Sequence, residues 1–96
     1  MNVKILDEAE RDLTDGFRFY EAQAVGIGDY FLDSLYADID SLRLYAGIHP
    51  LHLGQHRLLS KRFPFAVYYE VDGSVARVNA VLDCRRDPAW IQERLK

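Results

Sequence analysis

Two apolar runs that meet at an Asp-Gly pair constrain this chain more than anything else in it. Residues 65–71 and 74–83 flank Asp72-Gly73, and strand-like runs joined by Asp-Gly predict a β-hairpin. A third run, residues 55–61, precedes them across Phe63-Pro64. Pro64 has no N–H to give to a ladder, so it marks a turn or the start of a strand. The three runs predict an antiparallel meander. Arg57, Lys61 and Arg62 fall near its start and Arg85 and Arg86 at its end, so the topology is expected to gather cations at one patch.

The first half of the chain reads as helical. Residues 3–6 form a short apolar run suited to an edge strand. Asp7 stands where a helix N-cap belongs, with Glu8 and Glu10 in a first turn whose dipole favours acids. Ala9, Leu13, Phe17, Tyr20 and Ala24 then recur along one helical stripe. Gly16 weakens that helix by about 1 kcal/mol relative to alanine and offers a place for another element to approach. Val25-Gly26-Ile27-Gly28 breaks the pattern, Asp29 caps a second helix, and Phe31, Leu32, Leu35, Ile39, Leu42 and Ala46 form its stripe. So short a connection makes the two helices an antiparallel hairpin. Residues 47–54 read as loop. Asp87-Pro88 opens a short terminal helix, Asp87 as cap and Pro88 in the first position, with Trp90, Ile91 and Leu95 folding back onto the body. The order is βααβββ followed by that helix: an α+β fold in which a helical hairpin packs on a mostly antiparallel sheet.

Within residues 74–83 the alternation predicts Ala76, Val78, Ala80, Leu82 and Cys84 on a packed face. Arg77, Asn79, Val81, Asp83 and Arg85 fall on a face at least half wet. Adjacent Tyr68 and Tyr69 point to opposite faces. One belongs to the core, and the other is a candidate to stack on a base or to donate a proton. Leu58 beside Leu59 leaves the phase of residues 55–61 open.

A length of 96 residues is expected to make one domain, residues 1–96. A lone cysteine excludes an intrachain disulfide and a cysteine-based zinc site. The N-terminal apolar run is too short for a signal peptide, and no stretch approaches the roughly 20 apolar residues of a membrane span. A cytoplasmic protein without a membrane role is therefore expected. The net charge of −3 hides an asymmetry: residues 1–48 hold ten acids and four bases, residues 49–96 five acids and eight bases. A polyanion-facing patch in the second half follows, built from Arg57, Lys61, Arg62, Arg85 and Arg86. The competing reading is an edge strand protected from aggregation by its charges.

His49, His52 and His56 have helix-like spacing, but Pro50 and Gly54 place them in a loop and no acid completes a metal site. They are read as surface histidines, with no metal expected. Cys84 alternates with core residues and is read as a small buried apolar group. Arg85 and Arg86 beside it would lower a thiol pKa, yet no general base is placed for it. No phosphate-cradling glycine loop and no Ser/His/Asp arrangement is present, and no cofactor is expected.

Several segments, in order, carry a family likeness. They are Phe19-Tyr20-Glu21-Ala22-Gln23, Gly26-Ile27-Gly28, Phe31-Leu32-Asp33-Ser34-Leu35, Arg57-Leu58-Leu59 and Arg62-Phe63-Pro64-Phe65. Val67-Tyr68-Tyr69-Glu70-Val71, Val81-Leu82 and Arg85-Arg86-Asp87-Pro88 complete them. Together, over nearly the whole length, they resemble the RelE/ParE superfamily of bacterial type II toxin–antitoxin toxins. The long helical hairpin with its Gly-x-Gly turn is more similar to the ParE branch. The resemblance implies the same βααβββ fold. It also implies a toxin held inactive in a hetero-oligomer by a cognate antitoxin that wraps around it. ParE-like members act on DNA gyrase without nuclease chemistry, whereas RelE-like members cut mRNA within the ribosome. A third expectation is a non-toxic module that still binds its antitoxin.

Target binding would fall to Arg57, Lys61, Arg62, Arg85 and Arg86. A nuclease would draw its charge and its proton donor from Arg57, Lys61, Arg85 and Tyr68, and would also need a base for the ribose 2′-OH. Many relatives carry a histidine near the end of the last strand, where this chain has Asp83. That carboxylate would repel phosphate unless Arg85 or Arg77 neutralises it.

Overall fold

The sheet forms because four of its five strands sit between turns the chain dictates. In a computed structural model covering residues 1–96, the elements are β1 (Asn2–Ile5), α1 (Asp7–Gln23), α2 (Ile27–Asp40), α3 (Leu42–Tyr45), β2 (Leu51–His52), β3 (Gln55–Leu59), β4 (Phe65–Asp72), β5 (Val75–Asp83) and α4 (Pro88–Arg94). The sheet order is β1-β5-β4-β3-β2. β1 runs parallel to β5, with Val3 opposite Ala76, and the remaining pairs are antiparallel. This is the α+β arrangement expected, with two additions. The second helical stripe is interrupted at Ser41, and the segment read as loop contains β2.

Two turns differ in detail from the sequence reading. Asp72 still pairs with Val75, so the β4–β5 turn is Gly73-Ser74. Glycine at its first position, with φ of 60°, fits a type II′ turn. His52 pairs with Gln55, leaving Leu53-Gly54 as the β2–β3 turn. Both residues have positive φ, 54° and 83°, which is the type I′ geometry that twists with its strands.

Neither expected aspartate cap of the helical hairpin forms. Leu6 N–H still bonds to Val78 C=O, so β1 pairing runs on until α1 begins abruptly, with Leu6 as its cap and Asp7 already in the helix. At α2 the cap is Gly26, in the left-handed region at φ 93°. The Glu21 carboxylate of α1 accepts hydrogen bonds from Gly26 N–H at 3.1 Å and Gly28 N–H at 2.9 Å. An acid from the preceding helix thus serves the start of α2, in place of the Asp29 cap expected there. At the other end of the chain, Asp87 accepts from Ala89 N–H at 3.0 Å, with Pro88 in the first turn of α4, as the sequence indicated.

The apolar stripes of α1 and α2 close on one face of the sheet. Ala9, Leu13, Tyr20, Phe31, Leu35 and Ile39 pack there with Phe65, Val67, Tyr69, Ala76, Val78 and Val81, and Leu58 joins from β3. The other face is covered as well: Ala66, Tyr68, Ala80 and Leu82 pack under Ile91 of α4, with Trp90 and Leu95 beside it. The expected half-wet face is therefore largely dry where α4 lies.

The predicted alternation of β5 also fails midway. Tyr68 pairs with Ala80 but Tyr69 with Val78, so Asn79 is an extra residue. Such a bulge exchanges the faces of everything beyond it. Val81 joins Ala76 and Val78 on the helical side, while Ala80 and Leu82 turn toward α4. Cys84 is correspondingly not a core residue. It is exposed beyond the strand end.

Candidate functional site

Strand register decides where the cations go. Arg57 on β3 is directly opposite Tyr68 on β4, so the two share the α4 side of the sheet. The end of β5 returns to the same region, and a cavity of about 330 Å³ forms there, lined by His52, Arg57, Tyr68, Cys84 and Arg86 under Ile91 of α4. The Arg86 guanidinium lies 3.8 Å from the Trp90 ring centroid, a stacking arrangement that holds a cation at the rim.

Lys61 and Arg62 lie elsewhere. They line a smaller cavity with Ser34 and Asp38 of α2 and with Ser60, and Arg62 stands 5.8 Å from the Tyr30 ring centroid. Arg85 lines neither cavity. Its guanidinium bonds Asp83 twice, at 3.0 and 2.7 Å. That pairing raises the Arg85 pKa and holds the Asp83 carboxyl below its usual range. The neutralisation of Asp83 that phosphate binding would require is thus present, and it occupies Arg85. The six cation and tyrosine positions singled out in the sequence form two groups, Arg57–Tyr68–Arg86 and Lys61–Arg62, with Arg85 committed to Asp83.

Tyr68 and Tyr69 are both core residues, 1% and 0% exposed. Burial, with Cys84 nearby, pushes the Tyr68 phenol up, against the opposing pull of Arg57. The phenol stays protonated at neutral pH but is closed off by α4. The Cys84 thiol, partly desolvated where it meets this cavity, is also pushed up, and Arg57 offsets only part of that. The lowering of the thiol pKa that Arg85 and Arg86 could have caused, the lesser reading of Cys84, does not occur.

The three histidines are half-buried; His49 lies in the loop before β2, as expected, whereas His52 and His56 lie on strands. His52, on β2, lines the Arg57 cavity. Only the pairing of a two-residue strand places it there, and Leu53-Gly54 before a β-run is the one hint of that pairing in the sequence. His56 stacks on Tyr69 at 5.0 Å and bonds His49 C=O through Nδ1 at 2.7 Å. His49 Nδ1 meets the Tyr69 hydroxyl, which accepts Gly47 N–H at 2.9 Å. No three His, Cys, Asp or Glu side chains converge as metal ligands.

Burial, then the neighbouring His56, lowers the His49 pKa. The folded state therefore favours neutral His49. Its contribution to stability is complete above the unfolded value of about 6.5 and is lost as pH falls below it. The melting temperature is expected to fall from about pH 7.5 to about pH 5.5 more steeply in the wild type than in His49→Gln. Parallel profiles from scanning calorimetry would remove His49 from the account.

No protein-family description matches the sequence, and no curated protein matches it. A solved structure does share the fold: a chain from the "Chromosomal ParDE TA system from P. aeruginosa" superposes with a TM-score of 0.76 at 19% sequence identity, covering 84% of this chain and 92% of that one. No helix is long and apolar enough to cross a membrane.

Proposed function

We propose that this chain is the toxin of a type II toxin–antitoxin pair, that it arrests growth in the cytoplasm by poisoning DNA gyrase through protein contact, and that a cognate antitoxin neutralises it. The observation that carries the reading is the likeness in fold, across most of both chains, to a member of a ParDE system. It agrees with the resemblance seen in the sequence. The preference for contact over cleavage rests on Tyr68. The one tyrosine at the Arg57 cavity is 1% exposed beneath α4, so a ribose phosphate at the rim would find cations but no reachable phenol.

Val25, Leu44, Ile48 and Leu51 are exposed apolar side chains, surface that an antitoxin segment would cover. Purified protein is expected to inhibit gyrase supercoiling at modest molar excess, and its neighbouring gene product to restore activity and raise the melting temperature. Unchanged supercoiling in the presence of folded protein would refute gyrase as the target.

One observation favours a second reading, a ribosome-dependent mRNA endoribonuclease. His52 lies with Arg57 and Arg86 on one cavity, which supplies a base the sequence did not reveal. Codon-phased mRNA ends after induction, with supercoiling intact, would select it.

A further inference from the structure

Residues 47–52, between α3 and β3, are fastened to the sheet by polar contacts. Ile48 and Leu51 within this strap are 71% and 67% exposed, so neither anchors it by burial. The fastening is the phenol of Tyr69, a core residue of β4 on the helical face. Gly47 N–H donates to the Tyr69 hydroxyl at 2.9 Å, and His49 Nδ1 meets the same oxygen. Further along the strap, Arg57 N–H donates to Pro50 C=O at 3.0 Å, and His52 pairs with Gln55.

These contacts fix where the protons sit. A phenol has one proton to give. The Tyr69 oxygen already accepts from Gly47, the residue is wholly buried, and His49 Nδ1 is the acceptor in reach. His49 is therefore the tautomer with a bare Nδ1 and a protonated Nε2. His56 is the reverse. Its Nδ1 lies 2.7 Å from His49 C=O, which only accepts, so that nitrogen carries a proton. The two rings respond differently to acid. His56 takes a second proton on Nε2 and keeps its bond, whereas His49 takes one only at Nδ1, where the phenol proton points.

We propose that His49 and Tyr69 form an acid-released latch, in which a proton on His49 Nδ1 frees residues 47–52, the segment that places His52 at the Arg57 cavity. The titratable groups facing His49 are Tyr69 from β4 and His56 from β3. Arg43 of α3 is paired with Asp40, and His52 of β2 stands on the other side of the sheet, at the cavity. No carboxylate pairs with His49 to offset an added proton, and burial and His56 both oppose it. The closed strap thus favours neutral His49. Closure is complete above the open-state value of about 6.5 and is lost as pH falls below it. A segment held by a few polar bonds, with its apolar side chains in solvent, opens without the rest of the fold. The latch is independent of the target, because His52 lines the cavity whichever machine the protein engages.

The test uses the full chain, isotopically labelled, in long-range proton–nitrogen NMR and native-state hydrogen exchange. At about pH 7.5, His49 is expected to show a bare Nδ1 and His56 a protonated one. Between about pH 7.5 and about pH 5.5, opening constants at the amides of Gly47, His52 and Arg57 are expected to rise together, by up to about tenfold per pH unit below 6.5. They should exceed that of Ala66 at least about tenfold throughout. Glutamine accepts the phenol proton without titrating, so His49→Gln is expected to lose this pH dependence and His56→Gln to keep it. Tyr69→Phe preserves the ring packing and should leave the strap open at neutral pH.

A proton on His49 Nδ1 at neutral pH would overturn the proposal without recourse to any variant. So would the same pH dependence in wild type and His49→Gln, or its loss in His56→Gln, which would move the titrating group to His56. Opening at Gly47 alone, with His52 and Arg57 still protected, would reduce the effect to one bond. Opening constants equal to that of Ala66 would mean that the strap leaves only when the whole fold does. Either result ends the proposal.

Discussion

Gly16→Val is expected to abolish cooperative folding, and Gly16→Ala to lower the melting temperature despite alanine's better helix propensity. A Cβ at position 16 would lie 2.5 Å from Phe31 Cε2, well inside van der Waals contact. Phe31 is wholly buried, and its ring is held on three sides, by Tyr20 at 5.2 Å, Phe63 at 5.2 Å and Phe65 at 4.8 Å between centroids. Displacing it would disturb the aromatic cluster that joins both helices to the β3–β4 connection. Alanine gains about 1 kcal/mol in the helix and loses about 1–3 kcal/mol to overpacking. A net loss near 1 kcal/mol corresponds to roughly 4–8 °C for a chain of this size. Valine adds two methyl groups at the same point, against a total stability of roughly 5–10 kcal/mol. Thermal unfolding followed by circular dichroism measures both effects. A second-site Phe31→Leu should recover part of the loss in Gly16→Ala, since it removes the ring atoms in the way. A Gly16→Ala protein that melts at or above the wild-type temperature would show that the ring has room to yield.

Gly16 also marks the boundary between what the sequence discloses and what it withholds. The helical period of α1 and the weakness at Gly16 are both visible in a string of residues, and so is the idea of close approach. The approaching ring is not, because it depends on how two stripes interdigitate. The same division runs through the sheet. Apart from β2, which lies in the segment read as loop, strand positions were legible within a residue or two, since period-two patterns and turn residues bracket each run. The Asn79 bulge was not, because an inserted residue leaves the local alternation looking intact. Val81, an apolar residue among Arg77, Asn79 and Asp83 on the supposed wet face, is the one discordant sign of it. From that single slip follow the burial of Val81 under the helices and the exit of Cys84 from the core.

The cations show the limit most plainly. Composition gives their number and topology gives their end of the sheet. Which face each occupies is a matter of register, which puts Arg57 beside Tyr68. Which of them is neutralised is a matter of side-chain reach, which gives Arg85 to Asp83.

Asp12→Ala is expected to be the most destabilising single change outside the apolar core, and nothing in the sequence distinguishes Asp12 from the other acids of α1. Its carboxylate accepts two hydrogen bonds from Arg94, both at 2.8 Å, and a third from the Val81 backbone N–H at 3.0 Å. The Asp12 side chain is 10% exposed. One group therefore ties α4 to α1 and satisfies a β5 donor two residues past the bulge.

Removing it leaves the Val81 amide unserved and the Arg94 guanidinium with only Glu8, at 4.0 Å, as a carboxylate partner, at a cost of about 3–4 kcal/mol. That corresponds to a fall in melting temperature of about 10 °C or more. Arg94→Met should cost less, because the carboxylate keeps the Val81 bond and the methionine stem can still pack against Trp90. The order of the two variants thus separates a shared anchor from a simple ion pair, for which both substitutions would cost alike. Beyond the anchor, α4 is held by Arg86 stacked on Trp90 and by Gln55 Nε2 donating to Leu95 C=O at 3.4 Å. In Asp12→Ala its far half is expected to loosen first. Faster hydrogen exchange at Val81 and Leu95 than at Ala66, measured in the native state, would report that local opening. Uniform acceleration at all three sites would mean that Asp12 contributes only to global stability and that α4 moves with the body of the fold.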